Sequence, residues 1–320
     1  MDWRIALSSM LLVTAVAPAS AQDYPTRPIR LLVPYPAGGP VDIMGRITGQ
    51  KLTEQLGVQT VVDNRAGANG NIAGDIVARA TPDGYTLLMG ANGVIAVNPG
   101  LYRKMPFDPQ KDLAPVSLVG TGALLMVVHP SLPARSVADF IALAKAKPGS
   151  INFASSGSGS TAHLCSELLK SMAAIDIVHV PYKGAAPALN DVIGGQVQML
   201  ITGVSSAIPH VRSGKLRALG VSSPKRVSAL PDVPAIGETV PGYEVLTWYG
   251  VFVPTGTPAA IIKRLHAAIV AGMASKDTQD RMTALGAEAV TNSPAAFATL
   301  VRDEIAKWSK VLRSAGTKPE

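Results

Sequence analysis

A single cysteine, Cys165, stands in 320 residues, so no internal disulfide can form and the fold must rest on its core even in an oxidising compartment. A lone thiol of this kind reads as a buried, inert core residue. Charge is scarce: Asp, Glu, Lys and Arg make up 16% of the chain, against ~25% in ordinary globular domains. Lys and Arg outnumber Asp and Glu by 29 to 22, a formal charge of +7, but they are scattered. With no arginine run and no basic stripe interleaved with aromatics, a nucleic-acid partner is not expected. The surplus suits solubility, or a mild positive field that gathers small anions. Also missing are a GxSxG elbow, a GxxxxGK[ST] phosphate loop and an HExxH zinc pair. His163 and Cys165 lie two apart on an expected helix and so point to different sides, a poor metal pair. His129, His179, His210 and His266 are dispersed. No metal or cofactor is expected, although a hydrolase assembled from dispersed residues stays open. No short-period repeat is present, which excludes a solenoid.

The one long apolar run opens the chain. Arg4 is followed by IALSSMLLVTAVA and then by Ala19-Ser20-Ala21, the grammar of a secretory signal peptide, 1–21, cut before Gln22. A membrane anchor needs about 20 apolar residues in succession, and Pro18 and Ser20 interrupt this run. No cysteine sits at the cut to take a lipid. The remaining stretch of about 300 residues is long enough for two domains, each with its own core.

Along that stretch, Val/Ile/Leu-rich runs alternate with helical patterns, which predicts α/β architecture with parallel sheets flanked by helices. IRLLVPY, VQTVVDN and YTLLMG read as strands, with helices over about 41–56 and 72–80. After a Pro-rich stretch from Met105 to Pro115 the rhythm restarts with LLMVVHP, VADFIALAKAK, INFASS, TAHLCSELLKSM, DIVHVPY, ALNDVIGG, VQMLITG and LRALGVSS. LTWYGVFVP at 246–254 is a further strand, leading into two long helices near 258–275 and 294–316. In the last, Phe297, Leu300, Val301, Trp308, Val311 and Leu312 recur at helical spacing and are expected to pack inward.

Two α/β units imply a cleft, and ligands of open α/β sheets sit beyond the carboxyl ends of the strands. Two strand-to-helix corners are placed to bind there. In the first, Tyr35-Pro36-Ala37-Gly38-Gly39, glycines let the backbone approach a ligand while the helix start offers free N–H groups and partial positive charge. Asp42 is expected as the N-cap or a first-turn residue accepting from its own helix. The second, Ser155 to Thr161, adds hydroxyls from Ser155, Ser156, Ser158, Ser160 and Thr161 around Gly157 and Gly159. Two such helix starts facing each other would clamp an anion without a charged side chain. Gly157-x-Gly159-x-x-Ala162 also fits a dinucleotide fingerprint, but the next strand ends in Val180-Pro181-Tyr182-Lys183 without the acidic residue that a ribose requires. His163 is read as capping or packing near the second loop, with ligand contact as the lesser alternative.

PYPAGGPVDIMGR, VVDNRAGANGNIA, ATPDGYTLLMG, NPGLYRKMPFDPQKDLAPVSLV, ASSGSGSTAHL, VPYKGAAPALNDVIGGQVQML, GKLRALGV, LPDVPAIGE and WYGVFVPTGTP, in this order, resemble the Bug family, the periplasmic substrate-binding proteins of tripartite tricarboxylate transporters. The resemblance implies a two-lobed periplasmic-binding-protein fold of the Venus flytrap type, each lobe a mostly parallel sheet flanked by helices. It implies a first lobe of 22–123 plus 248–320 and a second of 124–247, with crossings near Gly122 to Leu125 and Thr247 to Tyr249. It further implies a monomer that binds a small carboxylate and serves membrane transport subunits without catalysis; a sensor role toward a membrane receptor would look the same in sequence. The matching loops, Tyr35, Ala37, Gly38 and Gly39 with Asp42 nearby and Ser155 to Thr161, would hold one ligand carboxylate. The far end of the pocket would draw on Asn64, Arg65, Gly67, Asn92, His163, Tyr182, Lys183, Gly184, Gly203, Ser205 and Trp248. For these, simpler roles compete: Arg65 bridging lobes, Tyr182 in the core, Trp248 packing the hinge, Lys183 pairing a second carboxylate. Pro40 and Val41 depart from the small polar residues common at these positions, and Pro40 removes one possible donor.

Overall fold

The structure, a computed structural model, describes residues 24–314; the expected signal peptide lies outside them. Strand β1 (Ile29–Val33) pairs in parallel with β2 (Thr60–Asn64) and β3 (Thr86–Ala91), with helices α1 (Pro40–Leu56) and α2 (Asn71–Ala78) as the crossovers. A π-helical stretch at Gly93–Val97 and a short helix α3 (Asn98–Leu101) follow. β4 (Leu113–Val128) is the longest strand. Beyond it come α4 (Val137–Ala146), β5 (Asn152–Ser155), α5 (Thr161–Ala173), β6 (Val178–Pro181), α6 (Ala185–Ile193), β7 (Met199–Gly203), α7 (Val204–Arg212) and β8 (Arg217–Val221). The described residues end in β9 (Leu246–Pro254), α8 (Ala259–Ala274), α9 (Lys276–Ala284), a two-residue β10 (Ala287–Glu288) and α10 (Pro294–Ser314).

The strands join in the order β2-β1-β3-β9-β4-β7-β5-β6, with β8 and β10 also on β4. β4 ties the two lobes together. Its residues Leu113 to Ala123 pair with β9, and from Leu124 onward its partners are β7 and β8. β9 is antiparallel to both β3 and β4, so β1 to β3 and β5 to β7 pair in parallel while every pairing made by β4 or β9 is antiparallel. That mixture, absent from the sequence expectation of mostly parallel sheets, follows from two strands running in opposite directions between lobes. The first half of β4 was also unexpected, because Pro115 reads as a breaker. The strand accommodates it at a register shift between Pro115 and Ser117, the kind of irregularity where proline survives in a sheet. The helix expected over 258–275 ends at Ala274 and a separate α9 follows Ser275, whose extended backbone breaks the run.

The apolar stripe of α10 packs as its spacing requires. Phe297, Val301, Trp308 and Leu312 are buried, and Leu300 and Val311 lie against the same cluster. Phe297 sits edge-on to Trp248 at 5.5 Å and against Phe252 at 4.9 Å, which fastens α10 beneath the crossing strand β9. Cys165 is buried, and burial pushes its thiol up, as expected of an inert core residue. Among the described residues no helix is long and apolar enough to cross a membrane.

Candidate ligand-binding site

Between the lobes lies a half-open cleft with about 550 Å³ of empty space, open solvent included. One wall consists of Tyr35, Gly39, Pro40, Val41, Ala91, Gly93, Thr247 and Tyr249, the other of Leu124, Ser156, Ser160, Thr161, Ala162, Ala185, Thr202 and Gly203. No charged side chain is among them. Instead the N-terminal ends of α1, α5, α6 and α7 reach the cavity at Gly39, Ser160, Ala185 and Gly203. Helix starts of this kind present unpaired N–H groups and partial positive charge. Val41, Ala91, Leu124 and Ala162 supply an apolar surface between them.

In the first loop Gly38 has φ +84°, a left-handed turn that a Cβ would strain. Gly39, not Asp42, is the N-cap, and Asp42 is the third residue of α1. Its carboxylate turns back on the loop instead of capping its own helix. Oδ2 accepts from the Gly38 N–H at 2.9 Å and from Arg46 Nε at 3.0 Å, and Oδ1 accepts from Asn64 Nδ2 at 2.9 Å. Burial works to raise the Asp42 pKa, but the bonds from Arg46, Gly38 and Asn64 outweigh it and hold the group below its ordinary value. Asn64 donates as well to the Tyr35 carbonyl. Asp42, Asn64 and the Gly38 N–H are therefore spent on shaping the loop, and Ala37 and Gly38 are exposed outside the cavity lining. The N–H groups of Val41 and Asp42, in the first turn, have no partner among the described residues.

The second loop is held by different means. Ser155 is fully buried, its Oγ lying 2.6 Å from His179 Nε2 and donating to the Gly157 carbonyl at 3.0 Å. It is no exposed hydroxyl for a ligand, nor a nucleophile. The Gly157 N–H donates to Ser155 Oγ, the Gly159 N–H donates to His163 Nδ1 at 2.9 Å, and Ser160 caps α5 by accepting from the His163 N–H. His163 and His179 stack with ring centroids 3.9 Å apart, and Phe153 stacks on His179 at 4.9 Å. Burial pushes His163 down to about 4 and His179 down to about 3, the latter helped by its neighbour's charge. Both stay neutral, and His163 serves behind the loop rather than in the cavity. The cavity is left with the hydroxyls of Ser156 and Thr161 and the first-turn N–H groups of Thr161 and Ala162, unpartnered among the described residues. Ser158 and Gly159 lie outside its lining.

The residues expected at the far end are mostly framework. Asn92 Oδ1 accepts from Thr247 Oγ1 at 2.9 Å and from the Trp248 N–H at 2.7 Å, while its Nδ2 donates to Glu304 at 2.9 Å. Trp248 is buried on the α10 cluster. Tyr182 donates to Asp191 at 2.7 Å and, with burial first, its phenol is pushed up to about 12. Lys183 is exposed, Arg65 pairs with Asp63 within its own lobe, and Ser205 is buried outside the lining. Gly67 lies against Ile72. Of the residues singled out in the sequence, the fold brings Tyr35, Gly39, Ser156, Ser160, Thr161 and Gly203 together around the cavity. Ala91 and Thr202 were missed, though as residues at the carboxyl ends of β3 and β7 they were findable. Leu124, Thr247 and Tyr249 come from the crossing strands.

The lobes touch. A Cβ on Gly184 would stand 2.6 Å from Pro36, and one on Gly203 2.6 Å from Pro40; Gly159 meets Leu101 and Gly286 meets Val204 in the same way. These glycines line the seam of a closed conformation.

The family model for the tripartite tricarboxylate transporter family receptor matches residues 44–317. The protein BugT of Bordetella pertussis is 38% identical over 318 residues, 98% of each chain. Among solved structures, Rpa4515 of R. palustris with adipate superimposes with a TM-score of 0.91 at 39% identity, covering 93% of this chain and all of the other. MatC from Rhodopseudomonas palustris with bound malate gives 0.85 at 32% identity, covering 90% of this chain and all of the other.

Proposed function

Because the chain belongs to the tripartite tricarboxylate transporter family of receptors, which bind substrates and are not enzymes, we propose that it captures a small carboxylate in the periplasm and passes it to membrane transport subunits. Residues 22–123 with 248–320 form one lobe and 124–247 the other, and the chain works as a monomer after loss of residues 1–21. The observation that carries this reading is the cavity between the lobes, where helix starts and hydroxyls converge with no charged side chain. Carboxylate ligands named for two relatives, adipate and malate, support the ligand class.

One ligand carboxylate sits between the first turns of α1 and α5, taking donors from the free N–H groups there and from Ser156 and Thr161. Each helix start contributes roughly 0.3–2 kcal/mol, more as water leaves the site. The second end of the ligand lies toward Ala185, Thr202 and Gly203, and an apolar spacer rests on Leu124 and Val41. Ligand contacts made to both lobes at once exist only when the lobes meet, so binding shifts the population toward the closed form.

The test is calorimetric titration of protein stripped of carried-over ligand by unfolding and refolding, against mono-, di- and tricarboxylates including adipate and malate. Micromolar or tighter stoichiometric binding, with the ligand recovered unchanged, is the expected result. No binding across the panel, with nothing released on unfolding that mass spectrometry identifies as a carboxylate, would defeat the proposal.

A further inference from the structure

Four consecutive residues after β2 have positive φ: Gly67 at 132°, Ala68 at 46°, Asn69 at 49° and Gly70 at 92°. For glycine this is ordinary, but for Ala68 and Asn69 it is a costly backbone, and such strain persists only where surrounding contacts hold it. The strain lies where this loop touches the opposite lobe. Asn69 Nδ2 donates to Asn98 Oδ1 at 2.7 Å in its own lobe and to the Ser158 carbonyl, in the second anion loop, at 3.3 Å. Two acceptors facing Nδ2 fix which end of the amide is the NH₂ group.

The contacts behind Asn69 are ordered. Its main-chain carbonyl accepts from Asn98 Nδ2 at 3.1 Å and from the hydroxyl of Tyr35, a cavity wall residue, at 3.4 Å. Asn98 is fully buried and donates on to Asn71 Oδ1 at 2.6 Å. Asn69 Oδ1, in contrast, is a buried acceptor without a partner in the structure, beside Gly157. A strained backbone and an unsatisfied amide oxygen are two costs at one residue, and both fall where it reaches the other lobe.

We propose that Asn69 is a positioning residue, a latch that spans the cleft and holds the second anion loop against the first lobe when the lobes are closed. The 3.3 Å bond lies just beyond the usual N–H···O range, a weak contact that yields when the lobes part. The latch goes beyond the carboxylate reading and rests on it only for the ligand arm of its test.

The test uses Asn69→Gly, which suits positive φ and deletes only the amide, and Asn69→Asp, which keeps the shape but sets a carboxylate against the Ser158 carbonyl. Spin labels at exposed Lys104 and Asn190, one in each lobe, report the interlobe distance in full-length mature protein. In ligand-free protein both variants should lower the closed-to-open ratio about five- to tenfold, the size expected for losing one neutral hydrogen bond. Asn69→Gly also leaves the buried Asn98 Oδ1 without its donor, so a lowered melting temperature alone does not count for the latch, and a lowered melting temperature with wild-type distances would assign Asn69 a folding role only. With adipate or malate as probe, dissociation should be faster by a similar factor and association unchanged. Distance distributions identical to wild type in Asn69→Gly would overturn the latch. If the wild type bound neither probe, the carboxylate reading would suffer, while the ligand-free distances would still decide the latch.

Discussion

The two strand-to-helix loops at the cavity have the same outline, strand then small-residue corner then helix, yet they are held by opposite chemistry. The first, Tyr35 to Gly39, is stapled by a charge: the Asp42 carboxylate gathers Gly38, Arg46 and Asn64. The second, Ser155 to Thr161, is backed by two stacked histidines, of which His163 must remain neutral to accept from the Gly159 N–H while His179 donates to Ser155 Oγ. A bound anion would see similar donors from both sides, but acid would dismantle the two supports at different points. What differs is the state of protonation on which each loop depends.

The largest expected effect comes from closing the seam against the second loop. Gly159→Asp should abolish carboxylate binding, a loss of more than 100-fold by calorimetry, in a protein that still folds. Gly159 has φ +73° and abuts Leu101 of the other lobe, so a side chain there blocks closure as well as bringing charge to the anion loop. Gly159→Ala therefore should also lose at least tenfold; an alanine variant with native affinity would assign the defect to charge alone.

Acid titration sharpens the contrast directly. Burial depresses both histidines, to about 4 for His163 and about 3 for His179, while the unfolded chain titrates them near 6.5. The unfolded state thus binds more protons in this interval, so stability is full above about pH 6.5 and falls as the pH drops toward 4. For His163 the loss is about 3 kcal/mol. His163→Gln, which keeps an acceptor without the titration, should flatten this part of a melting-temperature profile; an unchanged slope would show that the stack does not govern it. Asp42 works in a lower window. Its depressed pKa gives stability that is present above about pH 4 and lost only as the pH falls further.

Asp42→Ala strands the donors of Gly38 and Asn64 and should cost about 1–3 kcal/mol of stability, read by denaturant unfolding, with affinity weakened about tenfold through a loosened α1 entry. Arg46→Ala should be the mildest. The Arg46 side chain is 53% exposed although Asp42 is buried, and a pair with its cation in solvent stays near the roughly 0.2–1 kcal/mol of exposed pairs. A loss as large as that of Asp42→Ala would mean that the ion pair, not the amide donors, holds the first loop.

Both loops were legible because strand, small-residue corner and helix are local signals, and the apolar spacing of α10 was equally readable. Commitments between distant residues were not. Asp42 meets Asn64 across a crossover, and Asn92 is fixed by Glu304, 212 residues further along the chain. No local pattern says that such a side chain is already occupied, so polar residues near a glycine corner looked available to a ligand when they were framework. Pro115 hid half of β4 for a similar reason, since a register shift belongs to the pairing of β4 with β9 and not to one segment.

The lack of any charged side chain around the cavity bears on letting go as much as on holding. In a receptor working as proposed, opening would sever no ion pair and strand no buried lysine or arginine. Each amide N–H that loses the anion would meet water at once, so the hold of those donors lasts only while the closed lobes keep water out. Unloading then asks only that a neighbour pry the lobes apart, with no proton and no counter-ion to exchange.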